Sequence, residues 1–174
     1  MAEALWSQGG KNYKKFNSRI QSHYNLLDGF DVNYGEEHVP ILYKTLFDQD
    51  SLYLQLIPGD ESLTIAYQRD ISNAKAIVYD SPILIDDTCK ITAQAYKNKH
   101  PYGKPIEIPL AKHKGIGKDM EYLNHFDEFY PANKTMALVD GKLGTLDFRD
   151  GNWQGFWGTD VKIIMDLGIP TSNI

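Results

Sequence analysis

Two pairs of adjacent acids, Asp60-Glu61 and Asp127-Glu128, are the residues of this chain whose types and spacing come nearest to glycosidic acid/base chemistry. That chemistry needs one carboxyl group to give a proton and a second to act as base or nucleophile. Asp60-Glu61 follows Pro58-Gly59, so the expected setting is an exposed β-turn. Asp127-Glu128 sits among Phe126, Phe129 and Tyr130, a richer context, yet neighbouring acids on a surface segment are ordinarily solvated. Other chemistries have less support. His23, His38, His100, His113 and His125 show no HxH or HxxxH spacing, and Cys89 is the sole cysteine, so neither a zinc site nor an internal disulfide is expected. No Gly-x-Ser-x-Gly elbow presents a nucleophile. Gly115-Ile116-Gly117 lacks the third glycine and the strand–helix context of a phosphate cradle, and a flexible linker is the better reading.

The large aromatic residues offer a different chemistry. Asp150-Gly151-Asn152-Trp153-Gln154-Gly155-Phe156-Trp157 is dense enough to stack on the apolar face of a sugar ring. Trp, Phe and Gly at a sheet edge also serve as core and corner residues, and core packing is the favoured expectation.

These residues must be positioned by regular elements. Between Lys11 and Leu27, apolar Tyr13, Phe16, Ile20, Tyr24 and Leu27 recur at helical spacing, which predicts one amphipathic helix stopped at Asp28-Gly29. After Gly35 the pattern becomes short runs bounded by turn residues. Val39 to Leu46, Leu52 to Ile57, Leu63 to Tyr67, Ala76 to Tyr79, Ile83 to Ile85, Lys90 to Tyr96 and Ile106 to Leu110 are predicted strands, with Pro101-Tyr102-Gly103 read as a turn. Such a series predicts a small antiparallel β-sandwich of fibronectin III or immunoglobulin kind. From Lys112 onward a linker leads to a further β region, ending in the alternation Val161, Ile163, Met165 and Leu167. The expected fold class is mainly β: one amphipathic helix, a sandwich, and a partial galactose-binding-like β domain.

The net charge of −5, from 18 basic and 23 acidic residues with no polybasic block, argues against nucleic acid as a partner. No apolar run approaches the length of a membrane span, and Met1 to Trp6 show no signal-peptide pattern.

Three segments, taken in order, resemble one family. Ala2-Glu3-Ala4-Leu5-Trp6-Ser7, the helix carrying Arg19, His23, Leu27 and Asp28, and Gly29-Phe30-Asp31-Val32-Asn33-Tyr34 resemble the end of the catalytic domain of glycoside hydrolase family 20, the β-N-acetylhexosaminidases. Ile65-Ala66-Tyr67, Tyr79-Asp80-Ser81-Pro82-Ile83 and Lys90-Ile91-Thr92-Ala93 resemble that family's fibronectin-III-associated, chitobiase C-terminal module. The module's usual Asp-Gly-Ser-Glu-Pro-Thr turn is replaced here by Arg69-Asp70-Ile71-Ser72-Asn73-Ala74. His113 to Lys118, Tyr130-Pro131-Ala132, Leu138-Val139-Asp140-Gly141, Gly144 to Phe156 and Ile164 to Gly168 resemble the start of the discoidin-like domain found next in these enzymes.

The resemblance implies residues 1–34 as the end of a (β/α)8 barrel, 35–112 as the fibronectin-III-associated sandwich, and 113–174 as a linker with the truncated front of a discoidin-like domain. It implies that Trp6 stacks beneath the terminal N-acetylhexosamine in the parent enzyme, with Gln8 standing where relatives often carry a sugar-binding Glu. Hydrolysis in the family is retaining and substrate-assisted, through an Asp-Glu pair in a His-x-Gly-Gly-Asp-Glu motif. That motif does not occur in this sequence, and a whole barrel takes about 250 residues. The resemblance therefore implies a non-catalytic C-terminal fragment whose parent is periplasmic or secreted. Its implied partners are the rest of the barrel and the parent's glycan substrate, and self-association is expected from truncation. No cofactor is implied apart from a structural calcium at Asp140 and Thr145, for which plain β-turn geometry is the competing reading. The alternative function is a carbohydrate-binding module contacting sugar through Trp153 and Trp157.

Overall fold

A computed structural model describes residues 19–20, 23–24, 26–27, 29–30, 32, 39–48, 51–70 and 75–168. The chain divides into two compact units, Met1–Glu37 and His38–Ile174.

In the first unit, Arg19, Ile20, His23, Tyr24, Leu26, Leu27 and Gly29 have helical backbone. Ile20, Tyr24 and Leu27 are half-buried, while Arg19, His23 and Leu26 are exposed. Tyr13, Phe16 and Asp28 lie outside the described residues. The helix does not close at Gly29, which is itself helical and has no positive φ. Closure comes later: the Phe30 amide donates to the Leu26 carbonyl at 3.1 Å and the Val32 amide to the Leu27 carbonyl at 3.0 Å. The second bond spans six residues and satisfies a terminal carbonyl without needing Gly29 in the left-handed region.

The second unit is mainly β. Among the described residues its strands are β1 (Ile41–Asp48), β2 (Ser51–Pro58), β3 (Thr64–Arg69), β4 (Ile77–Val78), β5 (Ile83–Ile85), β6 (Cys89–Lys97), β7 (His100–Leu110), β8 (Met120–Tyr122) and β9 (Ile163–Met165). They form three sheets, ordered β1-β2-β5, β4-β3-β6-β7 and β8-β9, and every strand pairing is antiparallel.

The period-2 pattern explains the first two sheets. Along β2, Leu52, Leu54 and Leu56 are buried and the residues between them are not; along β6, Cys89, Ile91, Ala93 and Ala95 alternate in the same way. These residues join Ile41, Ile65, Ile85, Ile108 and Leu110 in one hydrophobic cluster drawn from both sheets. Removing a large aliphatic side chain of this kind from water is worth roughly 1.5–3 kcal/mol, so the cluster dominates the folding of this unit.

Two readings are corrected by the backbone. Pro101-Tyr102-Gly103 is not a turn but lies within β7, which begins six residues before the expected Ile106. The turn is Asn98-Lys99, both with positive φ (52° and 66°), the two-residue geometry whose twist matches a hairpin. Gly103 and its neighbours are absorbed by a bulge: Ala93 pairs with Ile106, but Ala95 pairs with Tyr102. The Gln94 amide donates to the Tyr102 and Gly103 carbonyls, both at 3.1 Å, and so satisfies groups that the bulge removes from the ladder.

The second correction concerns 113–118. In place of a flexible linker there is a packed turn. Ile116 is 3% exposed and belongs to the core cluster. The Gly117 amide donates to the Val139 carbonyl at 2.9 Å, the Ala111 amide to Gly141 at 2.8 Å, and the Leu143 amide to Pro109 at 3.1 Å. Gly141, at φ +74°, is required here: a Cβ would meet Leu52 Cδ2 at 2.6 Å and the Ala111 carbonyl oxygen at 3.2 Å. The segment after β7 thus lies against the same core as the strands before it.

Ile91 is fully buried near the start of β6. Ile91→Ala is expected to cost about 2–5 kcal/mol, because the surrounding β structure cannot close on the vacated space. Urea unfolding of the variant, read against the unaltered chain, measures it.

Candidate functional site

The candidate site is an open depression of about 480 Å3, lined chiefly by Phe129, Tyr130, Ala132, Phe148, Arg149 and Trp153. Two segments build it. The Asp127 amide donates to the Gly155 carbonyl at 2.8 Å and the Gly155 amide to the Tyr130 carbonyl at 2.9 Å, which sets the 127–132 and 145–155 segments side by side. Gln154 locks them: its amide nitrogen donates to the Lys134 carbonyl at 2.8 Å, and its oxygen accepts from the Tyr122 hydroxyl at 2.8 Å. Tyr122, from β8, stacks on Phe156 and meets Phe126 edge-on, an aromatic layer that supports the same strip of chain. Burial raises the Tyr122 hydroxyl pKa despite its hydrogen bond to Gln154, so it stays protonated as the donor.

Trp153 is fixed in this frame. Its indole N–H donates to the Thr145 carbonyl at 2.9 Å, and Gly144 lies so close that a Cβ there would fall 2.6 Å from the ring. The indole is nevertheless 47% exposed. Phe148 packs at a tilt against Tyr130 with ring centroids 6.1 Å apart, and the Arg149 guanidinium rests over the Phe148 ring at 5.2 Å. Ala132, on the lining, has φ +45°, and Lys134, two residues on, +53°, conformations costly for residues with a Cβ.

The loop carrying Trp153 is organised by one carboxylate. Asp150 accepts from the Thr145 amide at 2.5 Å and from the Asn152 amide at 2.8 Å. Burial pushes the Asp150 carboxyl up, but these donors outweigh it and hold the group below the usual carboxylate range.

The structure separates the residues singled out by sequence. Trp153 enters the depression, whereas Trp157 is 87% exposed and does not line it, so core packing describes neither. Asp127 caps its own turn, accepting from the Phe129 amide at 2.7 Å, and Glu128 is exposed. Asp60 likewise accepts from the Ser62 amide at 2.8 Å, in the exposed turn expected of Asp60-Glu61. Trp6 and Gln8 lie outside the described residues. Phe129, Tyr130, Phe148 and Arg149 are site residues that sequence reasoning misses. Their signal in the sequence is weak, an aromatic residue beside a charge in two segments far apart.

Asp140 and Thr145 do not assemble an oxygen shell for calcium. Asp140 is 2% exposed, and its carboxylate takes nitrogen donors: Asn133 Nδ2 at 2.9 Å, the Lys142 amide at 2.9 Å and the Lys142 ammonium at 3.2 Å. The buried carboxylate is therefore already matched by a positive charge and satisfied locally. The Thr145 hydroxyl serves a different turn, accepting from the Asp147 amide at 3.2 Å. Among the described residues no group of three or more His, Cys, Asp or Glu side chains is gathered as a metal site, and no helix is long and apolar enough to cross a membrane. Compared with protein-family models and with curated proteins, the chain matches none.

Two consequences are measurable. Gly144→Ala is expected to break the indole–Thr145 hydrogen bond and cost about 1–3 kcal/mol by overpacking, seen in the indole N–H resonance and in urea unfolding. The Asp150 pKa is lower folded than unfolded. Its stabilisation is therefore complete above the ordinary carboxylate range and is lost as pH falls through the lowered folded value. Acidification should shift Trp153 emission in a chain carrying Trp6→Phe and Trp157→Phe, and Asp150→Asn should remove that transition.

Proposed function

We propose that this chain is a non-catalytic accessory region of a β-N-acetylhexosaminidase of glycoside hydrolase family 20, in which a β-sandwich of fibronectin III type spaces and supports neighbouring domains. The observation that carries this reading is the sheet order. A three-stranded β1-β2-β5 sheet and a four-stranded β4-β3-β6-β7 sheet contribute to one hydrophobic core, which supports reading them as the two layers of such a sandwich. Its Ile65–Tyr67, Ile83 and Lys90–Ala93 positions, which carry the family resemblance, fall on β3, β5 and β6. In this reading Trp6 and Gln8 belong to the parent's sugar pocket, and the partners are the catalytic barrel, the parent's glycan, and further copies of the chain through apolar surface that the barrel would cover. The parent acts in the periplasm or outside the cell.

A second reading, a carbohydrate-binding module, is favoured by the rigid and half-exposed Trp153 in its aromatic depression. The two readings are compatible, since an accessory region can hold glycan near a catalytic domain.

The purified chain is expected to release no aryl alcohol from an aryl N-acetylglucosaminide and to self-associate in light scattering. Turnover that persists after host enzymes are excluded, or a genomic reading frame with no His-x-Gly-Gly-Asp-Glu motif upstream of Met1, would overturn the accessory reading.

A further inference from the structure

The depression has an asymmetry that a neutral sugar does not use. Its walls are aromatic, yet one lining residue, Arg149, brings a full positive charge. The Arg149 side chain lies on the face of Phe148, which holds the guanidinium at the rim. Its own backbone amide is taken by Asp147, so the residue is anchored at both ends. The neighbouring carboxylates are already engaged: Asp127 with the Phe129 amide, Asp147 with the Arg149 amide, and Asp150 with the Thr145 and Asn152 amides.

We propose that the depression binds an acidic saccharide, a hexuronate unit whose ring face stacks on the Trp153 indole and whose carboxylate pairs with the Arg149 guanidinium. The proposal rests on the carbohydrate-binding reading and adds the charge of the sugar. Three features support it. A planar guanidinium presents paired donors that match a carboxylate. The volume of about 480 Å3 lies within the range of small-ligand sites and suits one or two sugar rings better than a folded partner. A single lining cation on a chain of net charge −5 fits a ligand carrying one negative charge per ring, whereas a polyphosphate would meet too little positive charge. The indole is also oriented before any ligand arrives, because the Thr145 carbonyl and Gly144 fix it, so little side-chain freedom is lost on binding.

Titration of the full chain with trigalacturonate, with its fully methyl-esterified form, and with neutral chitotriose tests this. Trigalacturonate should bind and shift tryptophan emission, and the methyl ester should bind at least about tenfold more weakly, the loss expected for one charge-assisted hydrogen-bonded pair. Arg149→Gln, at an exposed position, should weaken the acid about tenfold, leave the ester unchanged and leave the circular dichroism spectrum intact. Trp153→Phe should weaken both. Equal affinity for acid and ester, with no effect of Arg149→Gln, would overturn the acidic inference and leave sugar binding standing. Failure of all three saccharides to bind to a chain of unaltered fold would overturn both.

Discussion

The alternation of buried and half-exposed side chains along β2 and β6 constrains everything else in the larger unit. Leu52, Leu54 and Leu56 cannot all leave water unless a second sheet faces them, and Ile91, Ala93 and Ala95 supply part of that face within the same cluster. A slip of one residue in either strand would turn the whole apolar set outward, so burial fixes the register as firmly as the hydrogen bonds do. The small side chains of Ala93 and Ala95 lie opposite a β7 strand that carries two extra residues between its paired positions, and Gln94 caps the carbonyls freed by that bulge.

The same core extends past β7 to the chain that flanks the candidate site. Ile116 is drawn into the cluster, the Gly117 amide bonds to Val139, and Gly141 fits against Leu52 where no side chain could. The chain from Lys112 to Leu143 is thereby stitched to the end of β7. From Gly144 to Gly168 no residue is fully buried. Order in the loops around the depression comes from aromatic layers and from Asx-type turns, in which Asp127, Asp140, Asp147 and Asp150 each satisfy a nearby amide. Aromatic side chains that such a region cannot bury remain at the surface: Phe129 is 89% exposed and Trp157 87%. The depression is the place where several aromatic rings converge around one cation.

Local patterning makes the strands legible. Seven predicted runs correspond in order to β1 through β7, because period-2 burial is written directly into residues such as those of β6. The turn before β7 is harder to place for a definite reason. Pro and Gly at 101 and 103 carry the stronger turn signal, but Asn98 and Lys99 accept the left-handed conformation and close the hairpin. The acid pairs are legible as turn residues because their meaning is local. The exposure of Trp153 and Trp157 is not legible in the same way, since a tryptophan's burial depends on what the rest of the chain places over it.

Composition and periodicity by themselves determined that this is a mainly β chain with an apolar stripe ahead of it, and they placed most strands to within a few residues. Those properties depend on side chains two to four positions apart, whose relation the local backbone fixes. Only the tertiary structure decided that Ile116 belongs to the core, that the Gly117 amide meets Val139, and that Tyr130, Phe148, Arg149 and Trp153 surround one depression. These relations join residues brought together by long-range pairing, such as Gly155 with Asp127 and Tyr130, and no short window of sequence contains both partners.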